Sequence, residues 1–395
     1  MDNEVKINEK RKIEEAVDLI EKDLRDIAMK IHANPELGFE EYKAVEWLTG
    51  YLKEQGFTIE KNVANLETAF IGTWEGEPGG PTIGILAEYD ALPGIGHACG
   101  HNIIGTSAVG AAVALKNAYP YLKGKIKVIG TPAEEGGGGK IYMCDDGVFN
   151  DLDAAMMTHP KDRTMVLRGG LACIRAVFKF YGKESHAASA PENGISALDA
   201  MINSFVAING LREYFTDDVR VHGIITNGGE APNVVPGYSE ASFIIRASTR
   251  KNLIGVKEKV YNAVKGSSLA VGATCEIEEG LLYAERNNNV TLAHLYQRNL
   301  ELQGITVYDP PKQGGVGSSD IGNVGQIVPT IHPYIRIGDA GTHTLEFTEA
   351  TKSEGGMQGL TQAAKAMAMT TYDLCTDTEA LEQMKEEFSL WKTNN

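Results

Sequence analysis

Side chains that could bind a metal ion occur at three places in the first half of the chain. Cys99 and His101 stand two residues apart in a glycine-rich stretch that follows an apolar run. The carboxylates Glu134 and Glu135 follow a second apolar run, and His159 closes a third. In an open α/β sheet the carboxyl ends of the strands meet at one edge, where active sites collect. If each apolar run is a strand, the sequence predicts a metal-dependent hydrolase.

Each of these side chains also has an ordinary structural explanation. A free cysteine is commonly a small buried hydrophobe, and a histidine such as His159 or the late His343 can be a hydrogen-bonded core residue. Context favours a metal site, because the glycines around Cys99 allow the chain to bend sharply beside a ligand. Two adjacent like charges, Glu134 and Glu135, between an apolar run and four glycines are unfavourable unless a cation neutralises them.

Composition excludes several classes of function. The net charge is −16 and no basic cluster relieves it, so nucleic acid is not an expected partner. Neither an apolar stretch of membrane-spanning length nor a signal peptide is present, so we expect no membrane partner and a cytoplasmic protein. The five scattered cysteines predict reduced thiols. The four glycines before Lys140 lack the other residues of a phosphate-binding loop, and we reject that interpretation.

The spacing of apolar residues predicts an α/β fold at the start of the chain. Helical spacing covers residues 11–31, about 41–55 and 103–118, and strand-like runs cover 68–74, 82–87, 125–130 and 154–158. Alternating strands and helices predict a large α/β domain whose sheet is largely parallel and covered on both faces. We expect this domain to carry the metal site.

From Gly170 the pattern changes to the order β-α-β-β-α-β of a ferredoxin-like unit. The predicted segments are 172–181, 195–215, 219–226, 240–247, 253–265 and 273–278. A complete unit inside a longer α/β chain predicts an inserted domain at residues 170–283. The metal-binding domain is then discontinuous, with residues 1–169 and 284–395, and ends in a long helix at about 349–370.

Several motifs together resemble one enzyme family. They are Cys99-Gly-His101, Pro132-Ala-Glu-Glu135-Gly, His159-Pro, the late His343, His32-Ala-Asn-Pro-Glu-Leu-Gly and Gly228-Gly-x-x-x-Asn233. In this order they resemble the dizinc metallopeptidases and amidohydrolases that include aminoacylase, carboxypeptidase G and acetylornithine deacetylase. Cys-Gly-His resembles the branch of indole-acetyl amino acid amidohydrolase, hippurate hydrolase and aminobenzoyl-glutamate hydrolase. Glu88-Tyr-Asp90 and Asn102 resemble its dipeptidase and aminobenzoyl-glutamate side.

The resemblance implies a dimetal centre and a role for each residue. The implied ligands of two divalent ions are Cys99, His101, Glu135, His159 and His343. Zn²⁺ is the expected metal, and the same ligands also suit Mn²⁺, Co²⁺ or Ni²⁺. Such a centre leaves positions open for substrate and activates a water molecule. Glu134 is then the general base, and Asp90 fixes a ligand histidine.

The resemblance also implies that the inserted domain is a lid and a dimer contact. His186 matches a lid histidine that in relatives reaches a substrate carbonyl or carboxylate, often from a partner subunit. Asn233 and Arg246 match residues that bind a substrate carboxylate, a group that suits a guanidinium fork. Arg246 could instead pair with an acidic neighbour on the sheet. We expect a homodimer or a dimer of dimers formed through the lid domain.

The expected function is hydrolysis of amide bonds in small peptides or N-acyl amino acids. One alternative is a weakly catalytic or non-catalytic subunit of a paired aminobenzoyl-glutamate hydrolase; the presence of Glu134 and of the full ligand set favours activity. Another alternative is a thiol enzyme that uses Cys99 with His101. It is weaker because residues two apart rarely align for proton transfer.

Overall fold

The computed structural model describes residues 3–311 and 317–394. The chain divides into two compact units. The main unit is formed by Met1–Gly169 and Arg286–Asn395, and the inserted unit is Gly170–Glu285. Among the described residues, no helix has the length and apolar character that crossing a bilayer requires.

Helices and strands alternate through the main unit, and the inserted unit has its own set. The helices are α1 (Asn3–Ala33), α2 (Tyr42–Glu54), α3 (His101–Ala118), α4 (Gly139–Asp145), α5 (Ala197–Leu211), α6 (Arg250–Ala270), α7 (Val290–Leu302), α8 (Ile321–Val324), α9 (Leu345–Thr351), α10 (Glu354–Thr376) and α11 (Thr378–Asn394). The strands are β1 (Thr58–Lys61), β2 (Phe70–Glu75), β3 (Glu77–Ala87), β4 (Lys123–Gly130), β5 (Ala154–Met156), β6 (His159–Lys161), β7 (Ala172–Tyr181), β8 (Ser185–His186), β9 (Arg220–Asn227), β10 (Val234–Val235), β11 (Tyr238–Ala247), β12 (Thr274–Tyr283), β13 (Thr330–Ile331) and β14 (Tyr334–Arg336).

The sheet of the main unit has the order β1-β2-β4-β3-β5-β13. Strand β3 is parallel to β4 and β5, and β13 is parallel to β5, whereas β1 and β2 add an antiparallel edge. The four parallel strands β4, β3, β5 and β13 therefore end at the same edge. A short parallel pair, β6 with β14, lies beyond β5 and β13 and places His159 opposite Tyr334.

Apolar side chains cover both faces of this sheet. Ile85 joins the core formed with α1, α3 and α10, whereas its neighbour Leu86 joins the core on the other face, with α4 and α8. Helix α3 is buried over its first four turns, which explains its many small residues. A Cβ at Gly110 would lie 2.6 Å from the Leu24 side chain, so α1 packs on α3 too closely for a larger residue unless Leu24 shifts.

The inserted unit is a four-stranded antiparallel sheet with the order β12-β7-β11-β9. Helices α5 and α6 pack on one face through a core that includes Phe178, Phe243 and Val260. The predicted α/β fold class is confirmed. The long helix predicted at about 349–370 is present as α10, but it begins later and α11 follows it. Helix α9 ends at Thr351, and α10 begins at Glu354 because the Ser353 hydroxyl accepts a hydrogen bond from the Gly356 N–H and caps a new helix.

Candidate dinuclear metal centre

Polar side chains follow each of the four parallel strands where the strand ends. Glu88 and Asp90 follow β3, Glu134 follows β4, His159 follows β5, and His332 follows β13. Parallel strands deliver these residues to one edge of the sheet, where ligands bind in open α/β folds. The structure brings Cys99, His101, Glu134, Glu135 and His159 together, and the ring of His332 lies beside that of His159.

Cys99 belongs to two groups of three donor side chains. One group is Cys99, His101 and His159, and the other is Cys99, Glu135 and His343; within each, the donor atoms lie within 4.8 Å of one another. Cys99 Sγ is 3.0 Å from His343 Nε2, and Glu135 Oε1 is 3.6 Å from the same nitrogen. The side chain of His343 is 56 % exposed, so the second group lies on the open side of the site.

Hydrogen bonds fix which ring nitrogen of each histidine can bind a metal. His101 Nδ1 donates to Asp90 Oδ1 at 2.8 Å, and Asp90 Oδ2 accepts the Glu135 N–H at 2.9 Å. His159 Nδ1 lies 2.6 Å from the Pro160 carbonyl, which can only accept, so His159 Nδ1 carries the proton. Nε2 is therefore the ring nitrogen that each of these histidines has available for a metal ion.

Unsatisfied donor atoms and accumulated negative charge fit a cation. His101 Nε2 and Glu135 Oε1 are buried and have no hydrogen-bond partner among the described residues. Burial, together with the carboxylates of Glu88 and Glu135, raises the pKa of Glu134 well above its usual value. Burial also raises the pKa of the Cys99 thiol. A divalent ion would remove each of these costs, because it satisfies the orphaned atoms and favours the anionic form of the ligands.

Two residues in this region have strained backbones. Ala133 (φ 55°) and His343 (φ 67°) adopt left-handed conformations that cost a non-glycine residue about 1 kcal/mol or more. The Ala133 N–H donates to Glu41 Oε1 at 2.8 Å, and the His343 N–H donates to the Ala98 carbonyl at 2.9 Å. These contacts hold the backbone where Glu134 and the His343 ring reach the site.

Sequence reasoning missed a buried charge cluster behind the donor groups. Lys140 Nζ donates to Glu88 Oε1 at 2.5 Å and to Asp320 Oδ1 at 2.8 Å, and all three side chains are buried. Asp320 Oδ2 also accepts the Lys140 N–H at 3.0 Å. Through its bond to Glu88, Lys140 connects the segment that follows Glu135 with the end of β3. The only signal in the sequence is a lysine directly after four glycines, a pattern that suggests a phosphate loop rather than a buried ion pair.

A cavity of about 420 Å³ opens beside the donor groups, a size typical of small-molecule sites. One wall is basic and aromatic, with Lys161, Arg168, Arg286, His332 and Tyr334. Arg286 Nη1 donates to His332 Nδ1 at 2.8 Å, so neutral His332 carries its proton on Nε2. Neither ring nitrogen of His332 is then available to a metal ion. Burial, with Arg286 and His159 nearby, lowers the pKa of His332 well below its usual value.

The predicted substrate-binding residues His186, Asn233 and Arg246 all lie in the inserted unit. His186 and Asn233 are neighbours there, because β8 pairs with β10 and the Ala187 N–H donates to the Asn233 carbonyl at 2.9 Å. Strand β11 begins at Tyr238, shortly after β10, and Arg246 lies near its other end. The two residues are about 26 Å apart along the strand. The structure therefore groups the first two and separates the third from them.

Comparison with known proteins identifies the family. Residues 84–370 match the profile of Peptidase family M20/M25/M40. The chain is 37% identical to the Xaa-Arg dipeptidase of Mus musculus, over 96% of this chain and 92% of that protein. It is 30% identical to one of the subunits of p-aminobenzoyl-glutamate hydrolase from Escherichia coli (strain K12), over 95% of this chain and 94% of that protein.

A solved structure supports the same assignment at the level of the fold. It is a dinuclear metal-binding peptidase of the M20 family from Bacillus subtilis, with a TM-score of 0.69 and 22% identity over 90% of this chain and 99% of that one. The resemblance inferred from the motifs is confirmed. The chain belongs to Peptidase family M20/M25/M40, and it is an enzyme for metal-dependent hydrolysis of amide bonds in small peptides or acyl amino acids.

Proposed function

We propose that Cys99, His101, Glu135, His159 and His343 hold two divalent metal ions and that Glu134 is the general base. The observation that carries this proposal is the pair of donor groups that share Cys99, with the buried donor atoms of His101 and Glu135 left unsatisfied among the described residues. A thiolate with imidazole and carboxylate ligands suits Zn²⁺, and Mn²⁺, Co²⁺ and Ni²⁺ are the alternatives.

The residues around the centre divide the work of hydrolysis. Two bound ions would lower the pKa of a water molecule and polarise the amide carbonyl. Glu134 takes the proton from the attacking water and delivers it to the leaving amine. Asp90 accepts hydrogen bonds from His101 Nδ1 and from the Glu135 N–H. These two bonds fix the orientation of both proposed ligands.

The substrate is a small amide rather than a long polypeptide. The cavity volume of about 420 Å³ holds a dipeptide or an N-acyl amino acid, and the two relatives described above are named for a dipeptide and for an aminobenzoyl amino acid. We expect a substrate with a free carboxylate, for which Arg246 of the inserted unit is one receptor.

The inserted unit, with predicted bounds 170–283, acts in this proposal as a lid and a dimer contact. His186 and Asn233 lie together, whereas Arg246 is separated from them by most of β11. A dipeptide is too short to touch both places in one copy of this unit. If both places bind the same substrate, they come from different subunits of a homodimer or a dimer of dimers.

A thiol mechanism has one observation in its favour, the 3.0 Å contact between Cys99 Sγ and His343 Nε2. A nucleophilic cysteine, however, needs a lowered pKa, and burial raises that of Cys99. A non-catalytic role as one of two paired subunits is disfavoured because Glu134 and every proposed ligand are present. Both alternatives make clear predictions about metal dependence.

Metal analysis combined with a substrate screen tests the proposal. Protein purified without chelator should contain close to two transition-metal ions per chain, and Cys99→Ser or His101→Ala should lower that content. A chelator should abolish hydrolysis of dipeptides and N-acyl amino acids, and Zn²⁺ or Mn²⁺ should restore it. Activity that persists in metal-free protein would support the thiol mechanism instead. Metal-loaded protein without any activity would support the non-catalytic role.

A further inference from the structure

We infer that the cavity wall formed by Lys161, Arg168 and Tyr334, braced by Arg286, is an anion subsite that binds a carboxylate of the substrate. This inference rests on the proposed function and deepens it, because it assigns carboxylate recognition to the main unit itself. The proposed lid residues are not needed for it.

Three cations surround one aromatic ring in this wall. Lys161 Nζ lies 5.9 Å from the centre of the Tyr334 ring, Arg168 Cζ lies 5.9 Å from it, and Arg286 Cζ lies 5.6 Å from it. The chain as a whole carries a net charge of −16, so this concentration of positive charge is local. Like charges held this close repel one another, and a bound anion would relieve that repulsion.

Two of these three cations form no ion pair with a carboxylate of the described residues. In the described part of the chain, no ion pair joins Lys161 or Arg286 to an acidic side chain. Lys161 Nζ donates to the hydroxyl of Thr342, at 3.2 Å. Arg286 donates to neutral groups: His332 Nδ1, the Tyr334 hydroxyl at 2.6 Å and the Gly169 carbonyl at 2.7 Å. Lys140, by contrast, is paired with two carboxylates.

The wall has a fixed position relative to the proposed metal ligands. Tyr334 pairs with His159 in the register of β14 and β6, and their ring centres are 5.5 Å apart. Lys161 lies on the same short strand as His159, and Thr342, which binds it, precedes His343. An anion on this wall therefore lies beside the proposed metal ligands His159 and His343.

The chemistry of the wall selects the substrate class. An ammonium and a guanidinium group form charge-assisted hydrogen bonds with carboxylates. A neutral amide in the same place would leave the charges of Lys161 and Arg286 without a counter-ion, and a cationic group would be repelled. We therefore expect the preferred substrates to be amides with a carboxylate close to the scissile bond.

Matched substrates and matched variants test this subsite. One pair is an N-acetyl amino acid and its carboxamide; the other is a dipeptide that ends in glutamate and the same dipeptide with glutamine. The metal-loaded wild type should prefer the charged member of at least one pair by about 10- to 100-fold in kcat/KM, the range of a hydrogen bond between charged groups. The pair that responds identifies the carboxylate that the wall binds.

Lys161→Met should reduce this preference by about 10-fold, because kcat/KM falls for the charged substrate and stays the same for the neutral one. Lys161→Arg should retain the preference. Arg163→Met is the control, because Arg163 is exposed, lies on the same segment and does not line the cavity. If Lys161→Met weakens both members of each pair equally, or leaves both ratios unchanged, the wall is not an anion subsite.

A binding experiment separates this inference from the proposed function. Carboxylates also bind metals, so affinities for two matched pairs should be measured by calorimetry on chelator-treated protein: N-acetylglutamate with N-acetylglutamine, and N-acetylglutamine with its α-carboxamide. Tighter binding of the charged member of at least one pair, lost in Lys161→Met and retained in Arg163→Met, supports the subsite; equal affinities within both pairs overturn it. Failure of the metal-loaded wild type to hydrolyse every substrate would overturn the proposed function, whereas the metal-free affinities would still decide the subsite.

Discussion

Cys99 Sγ lies 3.0 Å from His343 Nε2, although 244 residues separate the two in the chain. Cys99 belongs to the loop after β3, and His343 belongs to the loop before α9. The His343 N–H donates to the Ala98 carbonyl, so the backbones of the two loops are joined beside the side-chain contact. The late segment thus adds His343 to a set of proposed metal ligands whose other members all lie before residue 160.

The adjacent glutamates should have different roles. Glu134→Gln removes the proposed base but keeps its shape, so kcat should fall by about 10²- to 10⁴-fold while metal content stays near normal. Glu135→Gln should instead lower metal content, because Glu135 is a proposed ligand. Kinetics and elemental analysis on the same preparations measure both effects. Exchange of the two phenotypes would show that the roles are reversed.

Asp90 should act through His101. Asp90→Asn presents either a weaker acceptor or a donor to His101 Nδ1, so the affinity for metal should fall by about 10- to 100-fold. Competition with a chelator of known affinity measures this change. Asp146→Asn, in the turn after α4, is a control that should leave metal affinity unaltered. Equal affinities for the two variants would remove Asp90 from the proposed site.

Lys140 should contribute strongly to stability. Lys140→Met leaves the buried carboxylates of Glu88 and Asp320 without a counter-ion, and loss of one partner of a buried pair costs about 3–5 kcal/mol. Lys125→Met is the control, since the pair of Lys125 with Glu75 is exposed to solvent and should contribute little to stability. Urea unfolding of both variants measures the difference, and equal losses would contradict this account.

Glu41 should make stability depend on pH. Burial raises the pKa of Glu41 from 4.5 to about 7, against the opposing hydrogen bond from Thr68. Because the folded state holds this proton more tightly, its stabilising contribution is fully present below pH 4.5 and is lost as pH rises through about 7.

Relative to Glu41→Gln, the wild type should therefore lose at most about 3 kcal/mol of unfolding free energy between pH 4.5 and about pH 8. Urea unfolding at several pH values measures this difference. Glu60→Gln, at an exposed position of β1, is the control, and its unfolding free energy should change with pH as that of the wild type does. If the unfolding free energy of Glu41→Gln also follows the pH dependence of the wild type, Glu41 is not the group responsible.

Mixed dimers should show whether His186 acts across subunits. If it does, His186→Ala and Glu134→Ala homodimers are inactive, but a mixed dimer has one intact site of two. Random exchange makes half of the dimers mixed, so roughly a quarter of wild-type activity should return. Exchange can be followed with a label on each subunit. Exchange without recovered activity would place His186 in its own chain's site or outside catalysis.

Local patterns in the sequence were sufficient for the element types and for the family. The apolar period predicted the strands before Glu134 and His159, because side chains on a sheet covered on both faces must be apolar on both. The spacing of Cys99 and His101 and the paired glutamates predicted their meeting at one sheet edge, because parallel strands end together. These signals lie within a few residues of each chemical group.

Only the tertiary structure decided which distant groups meet. Lys140 meets Asp320 across 180 residues, and Arg286 meets Tyr334 across 48, in pairings that no local pattern announces. The charge of Lys140 is neutralised by Glu88 and Asp320. Lys161 and Arg286, by contrast, line the cavity and have no ion pair with a carboxylate of the described residues. The physical reason is that a charge acts through its distance to other charges and its burial, and both are set by how strands and loops pack rather than by the order of residues.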